Sequence, residues 1–332
     1  MYSQLNPIII RLTTSACFDN LSIESSKDDK NTKLAVHDDR KMSVISIDNG
    51  ANVIESSMID LSNNGKFNTL QMIRLLRLQD KIYLISLSSK TLKIYSTDSG
   101  CTLLFDHNIN DVDTKDLLAI NSIERISKDV FCFVTQNRIR MFAINSSNCF
   151  VEKEFHQDLK SSTTSQIDKF ISIGQSQFAL FENLAKITIW KLNEKNLSFT
   201  RITAFNIHPN TKLTCIQVYK NLLLIGTVSG QIQIVNIKDG QLLGEIQAHI
   251  KCVTSMDVAT NIGYLISGSE DSYARLFRLE QINENEFRAE FLQQFIAPNE
   301  MIFGTKFLNP NGSFLAISTF ESNQIKIFKI SN

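Results

Sequence analysis

The stretch Ile232-Gln233-Ile234-Val235-Asn236-Ile237, with the turn Lys238-Asp239-Gly240 behind it, decides the fold. Its apolar side chains stand at the first, third, fourth and sixth positions. The same figure recurs at 42–47, 139–144, 187–192, 274–279 and 325–330, with a weaker copy at 92–97. The fourth positions are Ile45, Tyr95, Phe142, Trp190, Val235, Phe277 and Phe328, separated by 50, 47, 48, 45, 42 and 51 residues. Seven copies at a period of about 47 constitute an internal repeat. Aromatic and β-branched residues at alternating spacing favour strands over helices.

Working outward, a second apolar run precedes each copy across a short polar turn: 34–36, 83–85, 131–134, 178–181, 222–225, 264–266 and 314–317. A third run lies before that, as at 213–218 and 253–258. A fourth follows most copies, as at 149–155, 199–205 and 242–246. Four short antiparallel strands repeated seven times predict an all-β fold, a single seven-bladed β-propeller. The seventh unit stops at Ile330 after its third strand, and an orphan apolar run, Ile8-Ile9-Ile10-Arg11-Leu12, precedes the first unit. The N-terminal strand is therefore expected to supply the missing fourth strand and close the ring, removing two sheet edges. The expected organisation is one domain over 1–332, with blades at roughly 14–60, 69–107, 117–156, 163–206, 212–249, 251–296 and 300–330 plus 8–12.

Composition limits the function. Of 332 residues, 43% are hydrophobic and 20% charged, which suits a packed core and argues against disorder. Lys plus Arg and Asp plus Glu each total 34, so no excess of basic charge points to nucleic acid or an anionic membrane. The apolar runs are too short to span a bilayer, and the first residues lack the pattern of a signal peptide. The cysteines Cys17, Cys101, Cys132, Cys149, Cys215 and Cys252 stand singly, without a CxxC spacing, and read as free thiols of a reducing compartment. No phosphate-binding glycine loop, nucleophile elbow or zinc-protease motif is present, so neither a catalytic residue nor a cofactor is expected. His37 with Asp38 and Asp39 reads as a polar turn in preference to a metal site.

His107, His156, His208 and His249 each end a predicted fourth strand, and Ser267-Gly268-Ser269-Glu270-Asp271-Ser272-Tyr273-Ala274-Arg275-Leu276-Phe277 follows the last of them. This stretch resembles the WD-repeat pattern SGSxDxxxRLW, with Phe277 at the place of the Trp. The specific motifs lie mainly in 212–330; residues 60–205 match as strand pattern alone. Kelch propellers share the period but depend on Gly-Gly pairs, and this chain has none. The resemblance implies a structural network of His249, Ser267 and Asp271, with Phe277 unable to add the indole N–H. The other blades hold Asp39, Ser89, Gln136, Leu184, Ser229 and Ser322 at the turn-Asp place, so apolar packing is expected to carry them.

The resulting expectation is a non-enzymatic, cytoplasmic protein–protein interaction scaffold. Loops at one face would meet the partner, with Asp38, Arg40, Lys251, Glu270 and Glu321 as the candidate surface. Partners are expected to be other proteins, with no nucleic acid and no direct membrane insertion. The resemblance implies self-association or a link to membrane traffic, with vesicle or cilium association. The alternatives are a structural subunit of a larger ciliary or vesicle-trafficking assembly and a propeller-fold enzyme. The enzyme would need carboxylates clustered in a central channel, and the innermost strands show none as a repeated feature.

Overall fold

In the strand Gln231–Asn236 every residue except Gln231 is buried. A strand covered on both faces must be apolar at adjacent as well as alternate positions, and that is the physical meaning of the one, three, four, six figure. Each copy of the figure lies on the third strand of an antiparallel sheet. The computed structural model describes residues 1–15, 17–26, 30–61, 69–88, 90–98, 100–109, 120–135, 139–145, 149–153, 167–183, 186–207, 212–283 and 286–330. Among them it contains six four-stranded sheets, a seventh whose outer place is shared by two short strands, and no helix, the arrangement of a seven-bladed β-propeller.

Two compact units divide the chain: Met1–Ser62 with Lys212–Asn332, and Asn63–Thr211. The first holds four sheets. One runs Leu21–Ser25, Asn31–His37, Lys41–Asp48, Val53–Asp60. Two more run Leu213–Tyr219, Leu222–Thr227, Gln231–Asn236, Leu242–Gln247, and Val253–Ala259, Tyr264–Ser269, Tyr273–Gln281, Phe287–Ile296. The seventh sheet joins Ile302–Phe307, Phe314–Thr319 and Gln324–Ile330 to the N-terminus. The closing segment is longer than the run at 8–12. Tyr2–Gln4 pairs with Phe328, Lys329 and Ile330, Leu5 donates its N–H to the Ile327 carbonyl at 2.8 Å, and Ile8–Ile9 pairs with Ile325 and Gln324. Pro7 lacks an N–H and breaks the strand in two. The first half escaped the sequence reading because its exposed Ser3 and Gln4 leave only Tyr2 as an apolar signal.

The first strands of neighbouring sheets in this unit lie side by side. Thr214 Oγ1 donates to the Val253 carbonyl and Thr254 Oγ1 to the Ile302 carbonyl, both at 2.5 Å, so a hydroxyl at the second residue of one strand ties it to the first residue of the next. Close approach also needs glycine. A Cβ on Gly268 would lie 2.6 Å from Ile302 Cγ2 and 2.8 Å from Ser255 Oγ, and one on Gly226 2.6 Å from Cys215 Sγ.

The second unit holds the sheets Leu70–Leu78, Lys81–Ser88, Thr91–Ser96, Leu103–Asn108; Ile120–Arg125, Val130–Thr135, Ile139–Ile144, Phe150–Lys153; and Ile167–Gly174, Gln177–Glu182, Lys186–Asn193, Ser198–Asn206. Its core is aromatic: Phe131 stacks on Phe142 at 5.4 Å and Phe178 meets Phe199 edge-on at 5.0 Å. His107 serves this packing. Its ring lies flat on Phe105 at 5.6 Å, and its Nε2 meets Glu152 Oε2 at 2.9 Å, a carboxylate that also takes two hydrogen bonds from Arg140. His107 thus reaches a neighbouring sheet instead of a turn in a WD-type network. His156 and His208 lie outside the described residues.

Candidate functional site

His249 follows the strand Leu242–Gln247 and enters the loop to Val253–Ala259. Its backbone N–H donates to the Gly230 carbonyl at 2.9 Å, and its own carbonyl accepts from Gln247 Nε2 at 2.8 Å. The ring is buried, with Nδ1 3.1 Å from each carboxylate oxygen of Asp271 and Nε2 2.8 Å from Ser267 Oγ. A carboxylate only accepts, so Nδ1 carries the hydrogen and, in the neutral ring, Nε2 accepts from the Ser267 hydroxyl. Asp271 also accepts from the N–H groups of Ile250 at 3.2 Å and Tyr273 at 3.1 Å. Burial alone would raise its pKa. The hydrogen bond and charge of His249, with the two backbone N–H groups, outweigh that and hold it below the usual carboxylate value.

Every polar atom of this cluster is directed at loop backbone or at another member, so it fixes geometry and leaves no group free for a substrate. Phe277 takes no part in the hydrogen bonding. It is buried and meets Phe291 edge-on at 5.9 Å. His249→Ala and Asp271→Ala are each expected to lower stability by about 1–3 kcal/mol, because each leaves a buried partner unsatisfied. The double variant should lose less than the sum of the two. Urea unfolding of the three variants measures this. Additive losses would mean that the pair does not act as a unit. Because the Asp271 pKa is lowered on folding, its stabilisation is complete above the unfolded value near 4 and is lost as pH falls through the folded value.

The candidate surface residues lie along one end of the first unit, where hydrogen bonds link the loops in series. Ala297 N–H bonds the Ser272 carbonyl, Phe320 N–H the Met301 carbonyl, Thr14 N–H the Ser322 carbonyl and Ser15 N–H the His37 carbonyl. Lys251 is exposed and Glu270 half-buried, and they are neighbours through the Glu270 N–H, 3.4 Å from the Cys252 carbonyl. Arg40 and Glu321 are exposed and belong to a second group reached through Thr14 and Ser15. Asp38 is engaged locally: its Oδ1 accepts from the N–H groups of Arg40 at 2.7 Å and Lys41 at 2.6 Å, capping the turn. The turns of the other sheets do not rest on apolar packing alone. Thr227 Oγ1 accepts from Gln231 N–H at 3.1 Å and Ser322 Oγ from Gln324 N–H at 3.2 Å. Ser89, Gln136 and Leu184 lie outside the described residues.

One charged cluster was not anticipated. Lys306 Nζ lies 2.8 Å from Asp19 Oδ1 and 4.0 Å from Asp257 Oδ1, bringing together the strands Ile302–Phe307 and Val253–Ala259 and the segment before Leu21. The three positions come from separate repeats, so no single motif reveals them; aligning the first strands puts Asp257 and Lys306 at the same fifth place. Burial raises the Asp257 pKa to about 6, against the opposing pull of Lys306 and the Phe307 N–H. A carboxyl whose folded pKa is raised contributes stability that is complete below its unfolded value near 4 and is lost as pH climbs through about 6. Asp257→Asn is therefore expected to gain about 1–3 kcal/mol over wild type at pH 7.5, with the gain shrinking towards pH 4. Melting curves across that range test it; a constant difference would mean that ionisation of Asp257 is not the cause. Among the described residues no group of three or more His, Cys, Asp or Glu side chains is placed to hold a metal ion, and no helix is long and apolar enough to cross a membrane.

A sequence model of the WDR54 family matches residues 6–331, nearly the whole chain. The chain belongs to the WDR54 family. Among WDR54 relatives, the rat protein WD repeat domain 54 is 21% identical over 260 residues, 75% of each chain. The human WD repeat-containing protein 54 is 21% identical over 143 residues, 43% of this chain and 42% of its own. Solved structures share the fold. Those titled "Structure of U3-55K" and "Crystal structure of RRP9 WD40 repeats" both superpose with a TM-score of 0.68 at 15% identity. They cover 99% of this chain, and 98% and 100% of their own. The WDR54 match extends through 60–205, where the WD motifs themselves have faded and only the strand pattern is legible.

Proposed function

We propose that this protein is a non-enzymatic scaffold that binds other proteins through the loops around the His249–Asp271 pair. The observation that carries the reading is the use made of buried polar groups: His249, Ser267 and Asp271 hold loop backbone in place and present nothing to a reacting substrate. WD-repeat propellers, the class to which this family belongs, generally mediate protein–protein interaction. Equal numbers of acidic and basic residues favour protein partners over nucleic acid. No disulfide joins any of the six cysteines, which supports a cytoplasmic location.

Combined charge reversal, Lys251→Glu with Glu270→Lys, alters one loop patch and leaves the strand cores untouched. Wild type and variant of equal melting temperature are compared in pull-downs from native lysate. Loss of particular protein partners by the variant is expected, with modest salt dependence for those that wild type keeps. Recovery of nucleic acid alone, or turnover of a small substrate, would overturn the scaffold reading.

A further inference from the structure

Ile250 is 83% exposed, yet the loop that carries it is held by several hydrogen bonds. Its N–H is bonded to Asp271, and the preceding residue is fixed by Ser267, Asp271, Gln247 and Gly230. Arg275 Nη1 adds a hydrogen bond to the Ala248 carbonyl. An isolated exposed isoleucine needs no explanation. One held in place from beneath by a buried network is different, because little conformational entropy remains to be lost when a partner covers it.

A second exposed apolar side chain lies on the adjoining turn. Val228 is 44% exposed on the turn after Leu222–Thr227. That turn abuts the Ile250 loop: a Cβ on Gly230 would overlap the His249 carbonyl and lie 2.6 Å from the Lys251 carbonyl oxygen. Two lysines flank the pair. Lys251 is the next residue, and the Lys212 carbonyl accepts the Val228 N–H at 3.0 Å. Both side chains are exposed, and neither makes an ion pair among the described residues. Of the nearby carboxylates Asp271 is committed to His249, which leaves Glu270 against two cations.

We infer that Ile250 and Val228, flanked by Lys212 and Lys251, form a docking site for a short acidic segment of a partner protein carrying a bulky apolar side chain. The apolar pair anchors that side chain and the lysines receive the flanking carboxylates. This inference rests on the scaffold reading and narrows it to one patch and one partner chemistry.

The test is photo-crosslinking in native lysate with Ile250→p-benzoylphenylalanine, with Glu321→p-benzoylphenylalanine as a second position on the same end, followed by mass-spectrometric mapping of the captured segments. Position 250 is expected to capture segments with a bulky apolar residue flanked by Asp or Glu. Adding Lys212→Glu and Lys251→Glu should cut the yield at least tenfold at unchanged melting temperature. Capture of basic or uncharged segments, of a second copy of this chain or of nucleic acid, or a yield indifferent to charge reversal, overturns the docking site. No capture at 250 with protein captured at 321 also overturns it but leaves the scaffold reading standing. No protein captured at either position overturns both.

Discussion

A chain lacking residues 1–12 is expected to be largely insoluble or to melt far below wild type. The segment contributes four buried apolar side chains, Tyr2, Ile8, Ile10 and Leu12. The last three pack with Leu21, Leu34, Phe314 and Ile325, and Tyr2 packs edge-on against Phe295 at 6.0 Å. Full burial of such a side chain is worth about 1.5–3 kcal/mol. Four of them approach the whole folding free energy of a domain, about 5–15 kcal/mol. The truncation also strips the strand Gln324–Ile330 of its partner and exposes a hydrogen-bonding edge. Solubility and thermal unfolding report the outcome. A truncated chain that melts like the full one would show that the seventh sheet stands on its three C-terminal strands.

Gly230→Ala is expected to be the most damaging single substitution at the candidate site, with a loss of about 2–4 kcal/mol. Gly230 has a φ of 84°, a region that L side chains rarely adopt. The new methyl would also run into the backbone carbonyls of His249 and Lys251, which cannot swing aside as a side chain can. Relief requires the Ile250 loop to lift, so partner binding should fall together with stability. Ala at Gly244, where a Cβ meets nothing within 4 Å and no positive φ is imposed, is the control and should cost under about 1 kcal/mol. Equal losses at the two sites would mean that the turn and the loop adjust freely.

The fold was legible because burial on both faces of the third strand is written into side-chain type. Trp190, Phe277 and Phe328 fall at one position of their units for the same packing reason, despite little similarity around them. The His249, Ser267 and Asp271 cluster could be read because it is local, confined to one sheet and the loop leading into it. The segment Tyr2–Gln4 was missed because a single apolar residue gives no period, and the meeting of Asp19, Asp257 and Lys306 because it depends on neighbouring repeats lying side by side. The hydroxyl ties of Thr214 and Thr254 were visible in principle, as a Thr at the second place of two first strands. The third such strand places Phe303 there. Phe303 stacks on the partly exposed Phe18 at 5.6 Å, so one tie is replaced by aromatic packing.

The pairing of Tyr2–Gln4 with the strand ending at Ile330 also has a consequence for biosynthesis. Tyr2–Gln4 and Ile8–Ile9 are synthesised about 300 residues before the strand that pairs with them, Gln324–Ile330. While the ribosome adds more than 300 residues, the apolar run Ile8, Ile9 and Ile10 waits without its mate, and the seventh sheet is completed only when Gln324–Ile330 has left the exit tunnel. At about 5–20 residues per second, that wait lasts some tens of seconds. During it the segment 2–10 is a ready substrate for chaperones, and a stop before Gln324 yields a product in which Tyr2–Gln4 and Ile8–Ile9 have nowhere to dock.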